Sequence, residues 1–504
     1  MESTDTTTGT SPQAPTGAPA SIAVVGAGPG GLLCALVLQR HGIDCTVYDA
    51  DLSADSRDAG GTLDLHTDTG QIALADAGLL DAFLAVARVD DQAKRHMDQH
   101  GTVHGVFEPE PGDSAAPEID RGQLRALIAA HVDPARVRWG HKLTGADPLG
   151  AGRHRLTFAN GATAEADLVI GADGVRSRVR RLVSPATPEY SGVAFLDVRY
   201  DDADRRHPAL ARLLGRGHLF ARGDDGNAII VQRNSNGMIR GYVALRTEAD
   251  WAARAGIGED DVAALRAFLL ERFSGWSAEL LPFLTDSDGY VRREISFLPT
   301  PLTWPHTPGA TLLGDAAHAM GPFGGHGVNL ALLDAAELAR ALAEEPTVEA
   351  AVRRYEPAMQ SRAAAYAGPS NQATRGFFGV GGAPDDGMPD HAAEHRRYRR
   401  NAADYLRDRA ASGVWDVTFR APDGARTAEL ALTVAHDGVS GTLDGRPLAH
   451  GSRDGAEIRF TAEVSSPSPT TLTCVMTVDG DTAEGTARHA LGSTAFTGTR
   501  RPAA

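Results

Sequence analysis

Gly26-Ala27-Gly28-Pro29-Gly30-Gly31 is the stretch on which the reading of this chain turns. It follows a short apolar strand, Ser21 to Val25. It opens a stretch from Leu32 to His41 in which Leu32, Leu33, Leu36 and Val37 recur at helical spacing. Gly42 is a natural stop for that helix, and Thr46 to Tyr48 begins a second strand with Asp49 at its end. Strand, glycine-rich turn, helix and strand make the opening unit of a doubly wound α/β sheet. In such a unit Gly26 permits the tight turn, Gly28 lets the backbone approach a pyrophosphate, and Gly31 lets the helix pack on the strand. The helix N-terminus then offers free N–H groups and a positive dipole end to phosphate. Asp49 stands where a carboxylate can bind ribose hydroxyls.

Two further motifs follow in order. Asp167-Leu168-Val169-Ile170-Gly171-Ala172-Asp173-Gly174 runs an apolar strand into an Asp-Gly turn and on to Ser177 and Arg180; alone it reads as an ordinary strand–turn–helix join. Gly314-Asp315-Ala316-Ala317-His318 follows the short strand Thr311 to Leu313 and leads to Pro322, Gly325, Gly327 and Asn329. Asp315 ends a strand, so its carboxylate can reach a ribityl-like hydroxyl. Gly325 and Gly327 precede a helix, from about Gly327 to Leu342, and can present N–H groups to a flavin ring or an anion. The three motifs together point to FAD rather than NAD.

Composition bounds the rest. A chain of 504 residues, 42% hydrophobic and 23% charged, is an ordinary globular protein of several domains. Its formal net charge of −16 argues against a nucleic-acid partner. No apolar run approaches the ~20 residues of a membrane span. Cys34, Cys45 and Cys474 show neither metal-ligand spacing nor a disulfide framework, so no metal and a cytoplasmic location are expected. Residues 1–20 read as a disordered tail, 21–188 as the first part of the FAD-binding domain, and 189–298 as an inserted antiparallel substrate-binding sheet. In that sheet Ala228 to Gln232, Met238 to Leu245 and Glu294 to Leu298 read as strands, with Asn234 to Gly237 a turn. Residues 299–378 return to the FAD domain and a helix, and 379–412 form a linker and helix. The linker is Gly379 to Pro389, and the basic helical piece His395 to Arg409 reads as a solvated face. Residues 413–504 alternate in short runs between Asp423-Gly424, Asp437-Gly438, Asp444-Gly445, Asp454-Gly455 and Asp479-Gly480 turns, which signals a β-barrel or sandwich.

These motifs, with Gly60-Gly61-Thr62-Leu63-Asp64-Leu65-His66 and Glu118-Ile119-Asp120-Arg121 followed by Leu124-Arg125-Ala126, resemble the class A flavoprotein monooxygenases built like p-hydroxybenzoate hydroxylase. Within them the chain is most similar to the tetracycline-inactivating TetX type. The resemblance runs from Ser21 to about Tyr366 and leaves out the β-rich tail. It implies an α/β fold with a GR2-type Rossmann-like FAD domain and an inserted antiparallel-sheet substrate domain; the small all-β C-terminal domain is read from its own strand and turn pattern and added to these. It implies that Gly26, Gly28 and Gly31 line the pyrophosphate, Asp49 takes the adenosine ribose, and Arg57 lies near the cofactors. Asp64 and Arg121 would contact FAD, Asp173 would belong to the motif shared by FAD and NAD(P)H, and Asp315, after Gly314, would hold the ribityl chain. Such enzymes reduce FAD with NADPH and use oxygen to hydroxylate an electron-rich ring or enol.

The sequence departs from that pattern in places. Where the TetX type has Gln in the Pro-Phe-x-Gly-Gln-Gly run, this chain has His326. A histidine there could tune the flavin or simply donate one hydrogen bond, and the second reading is preferred. The family's substrate-contacting Gln, Arg and His fall on Asp197, His218 and Arg240, so none is retained and a substrate other than tetracycline is expected. The expected activity is FAD- and NADPH-dependent hydroxylation of a polyketide-like or aromatic small molecule in antibiotic biosynthesis or inactivation. The alternative is a non-redox, Diels–Alder-type cyclase that requires FAD, of the spirotetramate and spirotetronate kind. The β tail is assigned no catalytic residue and is either an interaction module or a substrate lid.

Overall fold

The computed structural model describes residues 20–54, 56, 60–258, 260–382, 388–421, 424–435, 438–464, 469–490 and 492–501. Arg57, residues 1–19 of the expected tail, 383–387 of the expected linker, Asp423 and Asp437 lie outside them.

Ile22–Val25 is buried along its whole length and lies at the centre of a five-stranded parallel sheet. Thr46–Tyr48 and then Val137–Arg138 flank it on one side; Leu168–Gly171 and then Ala310–Leu312 flank it on the other. The strand order therefore reverses at Ile22–Val25, and the carboxyl ends of strands at such a switch point leave a crevice for a ligand. Gly26, Asp49, Asp173 and Gly314 all follow carboxyl ends of this sheet. The first helix is Pro29–Arg40, three residues longer at its start than the apolar spacing suggests. Pro29 is at its first turn, where a fixed φ and a missing N–H suit the position. The helix is buried against His326–Glu344, which begins one residue before the expected Gly327 and is followed by the long helix Val348–Phe377.

The middle of the chain forms a seven-stranded sheet in the order Tyr290–Phe297, Glu189–Tyr200, Ile239–Arg246, Ala228–Arg233, His218–Arg222, Lys94–Asp98 and Val103–Phe107. The last two strands come from within the stretch assigned by sequence to the FAD domain. One face of this sheet packs Leu196, Val198, Leu219, Ile229, Val231 and Val243 against helices on the outside. The period-two alternation turns Phe195, Asp197, Ile230, Arg240, Tyr242, His218 and His96 to the opposite face.

Gly413–Arg500 carries nine antiparallel strands in one sheet, with the first, Gly413–Ala421, paired to the last, Gly492–Arg500. At the remaining seam the backbones nearly touch: a Cβ on Gly451 would lie 1.8 Å from the Val439 carbonyl oxygen. The tail is a nearly closed barrel, and its interior is filled by Trp415, Leu430, Phe460, Cys474, Met476 and Phe496. Between linker and barrel runs the helix His391–Ala411, longer than expected and not solvated all round. His391, His395, Tyr398, Asp408 and Ala411 are buried. Its arginines mask the pattern, because their long side chains leave the opposite face while the histidines and tyrosines point inward. Among the described residues no helix is long and apolar enough to cross a membrane, and no cluster of three or more metal-ligating side chains occurs.

Candidate active site

The fingerprint is built by contact. Gly26 takes φ +110°, and a Cβ on it would lie 2.3 Å from the Ala172 carbonyl oxygen; a Cβ on Gly31 would lie 2.0 Å from that of Gly26. Side chains at these two positions would force apart the strands and helix that form the turn. At Gly28 the Cβ direction is open space, which leaves room for a ligand over the helix N-terminus. Asp49 is buried and fully engaged with the fingerprint: it accepts the Ala27 N–H at 2.5 Å and the Asp51 N–H at 2.8 Å. Arg125 braces the same turn, donating to the Ala27 and Ala54 carbonyls and to the Asp51 carboxylate, the last at 2.9 Å. Arg125 lies in a quoted motif but was not among the expected site residues; nothing local marks it as the one arginine of its helix that turns inward.

The second and third motifs meet the first. Asp173 caps its own turn, accepting from the Ser177 hydroxyl at 2.5 Å and the Arg178 N–H at 2.7 Å. Arg180, buried at 2% exposure, donates to the Val175 and Ala186 carbonyls and to the Ala316 carbonyl at 2.9 Å, which staples the second motif to the third. The Gly314 N–H and His318 Nε2 both donate to Asp334, at 3.1 Å and 2.6 Å, and Arg362 closes the far side of that carboxylate at 2.9 Å. Asp315 is exposed and faces Gly327: its Oδ1 lies 3.7 Å from where a Cβ on that glycine would be.

Asp64 sits at the end of Thr62–Asp64, opposite Glu118, and its carboxylate lies directly against Gly325, the cap of the helix His326–Glu344. Burial pushes the Asp64 carboxyl up, but His66, Lys94 and His218 outweigh it and hold the group well below the ordinary carboxylate range. Asn329 knots this corner together. Its Oδ1 accepts the His66 N–H at 2.8 Å and the Gly70 N–H at 3.2 Å, while its Nδ2 donates to the Asp64 carbonyl at 2.7 Å and the Gly325 carbonyl at 2.9 Å. His326 packs edge-on to His66 at 5.3 Å and against Tyr366 at 4.5 Å. Burial, with His66 adding to it, lowers the His326 imidazole to about 3. It is therefore neutral near pH 7, a hydrogen-bonding group and not a cation. Arg121 starts the helix Arg121–Ala129 and is exposed, with its N–H donating to the Gly61 carbonyl at 3.0 Å.

Of the three positions aligned with the family's substrate contacts, the structure brings two together. Arg240 lies 3.5 Å from Asp197, which also binds Arg293 at 3.1 Å, and both Asp197 and Arg240 line a cavity of about 360 Å³ with Tyr290 and Val291. His218 is three strands away and is engaged with Glu118 at 2.8 Å. Nearer the flavin-type loop the same face is aromatic: Phe195 stacks on Tyr242 at 4.7 Å, and Phe323, next to Pro322, meets Phe377 at 4.7 Å and Phe378 at 5.8 Å.

The residues fit FAD. A glycine turn and an open helix N-terminus suit a pyrophosphate, and Asp315 faces a second helix start. The Asp64 carboxylate, with the fully buried His66 Nε2 behind it at 3.4 Å, lines the corner between the first and third motifs. A comparison with protein families matches the FAD binding domain over residues 19–256 and 309–368. The chain belongs to this FAD-binding family. It is an FAD-dependent oxidoreductase of the monooxygenase class, 30% identical over 373 residues to Monooxygenase asqM of Emericella nidulans, a match that covers 64% of this chain and 83% of that protein. Among solved structures it shares the fold of Klebsiella pneumoniae HpxO complexed with FAD and uric acid (TM-score 0.61, 22% identity, 76% of this chain and 93% of that one). It shares it also with the tetracycline destructase Tet(55) (TM-score 0.56, 21% identity, 76% and 96%).

Proposed function

We propose that this enzyme uses NADPH and oxygen to hydroxylate a planar, electron-rich small molecule, polyketide-like or aromatic, held between the FAD cradle and the inner face of the seven-stranded sheet. The observation that carries the reading is the juxtaposition of the motif loops with an aromatic wall, Phe195, Tyr242, Phe323 and Phe378, which suits a flat ring. Names among relatives, such as Monooxygenase asqM, support the reaction class. Bound FAD supplies the two-electron reduction of oxygen, so that substrate, O2, NADPH and a proton become hydroxylated substrate, water and NADP⁺.

The chain's own residues bind, orient and exclude. The helix start after Gly28 would hold the pyrophosphate and Asp315 the ribityl chain. Neutral His326 offers one ring N–H without adding positive charge, and the aromatic wall keeps water from the reacting ring. The test is FAD-loaded protein incubated with NADPH, NADH and a panel of phenolic and enolic polyketides. Faster NADPH oxidation and a product heavier by one oxygen are expected. A product of unchanged mass, formed without NADPH, would establish the cyclase alternative instead.

A further inference from the structure

We propose that Tyr398, on the helix between linker and barrel, is a positioning residue of the FAD cradle, and that FAD binding and the seating of this helix are thereby linked. The Tyr398 ring is 4% exposed and lies flat on the His66 imidazole, with centroids 4.1 Å apart and planes 13° from parallel. It is the ring stacked on His66. The His66 backbone N–H is fixed by Asn329, and its Nε2 reaches Asp64 only at 3.4 Å. The ring's tilt, and with it the approach of Nε2 to the Asp64 carboxylate, is set by Tyr398 on one side and by His326 packed edge-on. Removing the tyrosine ring leaves His66 free to turn, and Asp64 and His326 lose the neighbour they pack against.

The helix carrying Tyr398 touches each part of the molecule in turn. His391 Nε2 meets His96 Nε2 of the seven-stranded sheet at 3.1 Å, and His395 donates to Asp113 at 2.9 Å. Asn401 donates to Asp68 at 3.0 Å, just beyond His66 in sequence, and Tyr405 donates to Glu337 at 2.9 Å. Arg453 of the barrel binds Asp408 at 2.7 Å, and the Trp415 indole donates to the Ala411 carbonyl at 3.1 Å. A ligand that orders Asp64, and through it His66, must by linkage hold this helix in place to the same degree that the helix favours the ligand. The inference rests on FAD occupancy alone. It holds whether the substrate gains an oxygen or only rearranges.

Two measurements test it. Hydrogen exchange of peptides from residues 391–411 in the wild-type protein, stripped of FAD and reloaded, should slow several-fold on loading. FAD titration should show a Kd raised about tenfold or more in Tyr398→Ala, with a shifted flavin absorption band. In Tyr398→Phe, which keeps the stack, Kd should stay within about twofold of wild type. Equal exchange of the helix with and without FAD would overturn the proposal without bearing on hydroxylation. So would a Tyr398→Ala protein with wild-type affinity and spectrum.

Discussion

Asn329→Ala removes one small side chain and four hydrogen bonds at once. The two backbone N–H groups it serves, of His66 and Gly70, lie in a corner where His66 is fully buried and Asn329 is at 0% exposure. Among the described residues neither donates elsewhere, and an orphaned buried N–H costs about 1–3 kcal/mol. The carbonyls of Asp64 and Gly325 lose a donor each and suffer less, because a carbonyl has two lone pairs. The sum is about 5 kcal/mol, and a water entering the vacated space would recover part, leaving about 3–4 kcal/mol. At roughly 2–4 °C per kcal/mol for a domain of this size, the apo protein should melt about 6–16 °C lower. FAD affinity should fall as well, because Asn329 holds Asp64 against Gly325. Asn329→Asp keeps both acceptors but sets a carboxylate against two carbonyls, and should be no better than alanine. Thermal melting and FAD titration of the three proteins give the answer. A Tm for Asn329→Ala within about 1–2 °C of wild type, with FAD affinity unchanged, would refute the accounting.

Gly31→Ala should abolish stoichiometric flavin loading, read as absorbance per mole of purified protein, because its methyl would sit 2.0 Å from the Gly26 carbonyl oxygen; full loading would show that the turn yields. Acid should destabilise the fold. Burial lowers His326 to about 3 and His96 to about 4, and lowers His391 and His395 also, against an ordinary value of 6.5. Between those limits the unfolded chain binds protons that the folded chain refuses. Stability is therefore full above about pH 6.5 and falls as pH drops, by up to about 1.4 kcal/mol per pH unit for each histidine. Tm should fall from pH 7.5 to 5, and less steeply in His326→Gln; a flat profile would contradict the neutral state assigned to these rings. A chain ending at Ser412 should keep FAD affinity within about twofold, whereas one ending at Val380 should lose about tenfold or more. Equal affinities would separate the bridging helix from the cofactor.

Some of the molecule is legible in the sequence for a plain reason. The flavin motifs are local: Gly31 is dictated by the backbone of Gly26 five residues before it, and an Asp-Gly turn announces itself in the barrel whatever surrounds it. The bridging helix is illegible for the opposite reason. His391 meets His96 across 295 residues, and His395 meets Asp113 across 282, so nothing near either histidine marks it as buried. The six arginines from Arg396 to Arg409 make the stretch look solvated. Lys94–Asp98 lies within the FAD-domain stretch by sequence proximity, yet its partner, His218–Arg222, is more than a hundred residues downstream. Asp197 and Arg240 were named as substrate positions without any sign that they pair. His218, named beside them, stands apart because strand order is not sequence order.

The central strand Ile22–Val25 waits for its neighbours. It is made first, yet one flank, Leu168–Gly171, follows about 140 residues later, and the edge strand Ala310–Leu312 later still. During synthesis at roughly 5–20 residues per second, the fingerprint loop must remain for many seconds without the carbonyl of Ala172 against Gly26 or the helix His326–Glu344 against Pro29–Arg40. The cradle is thus completed only late in synthesis. The barrel has the opposite schedule, because except at the seam between Arg446–Pro447 and Ala449–Asp454 each strand pairs with the one just made, and its first and last strands alone must wait for a distant partner.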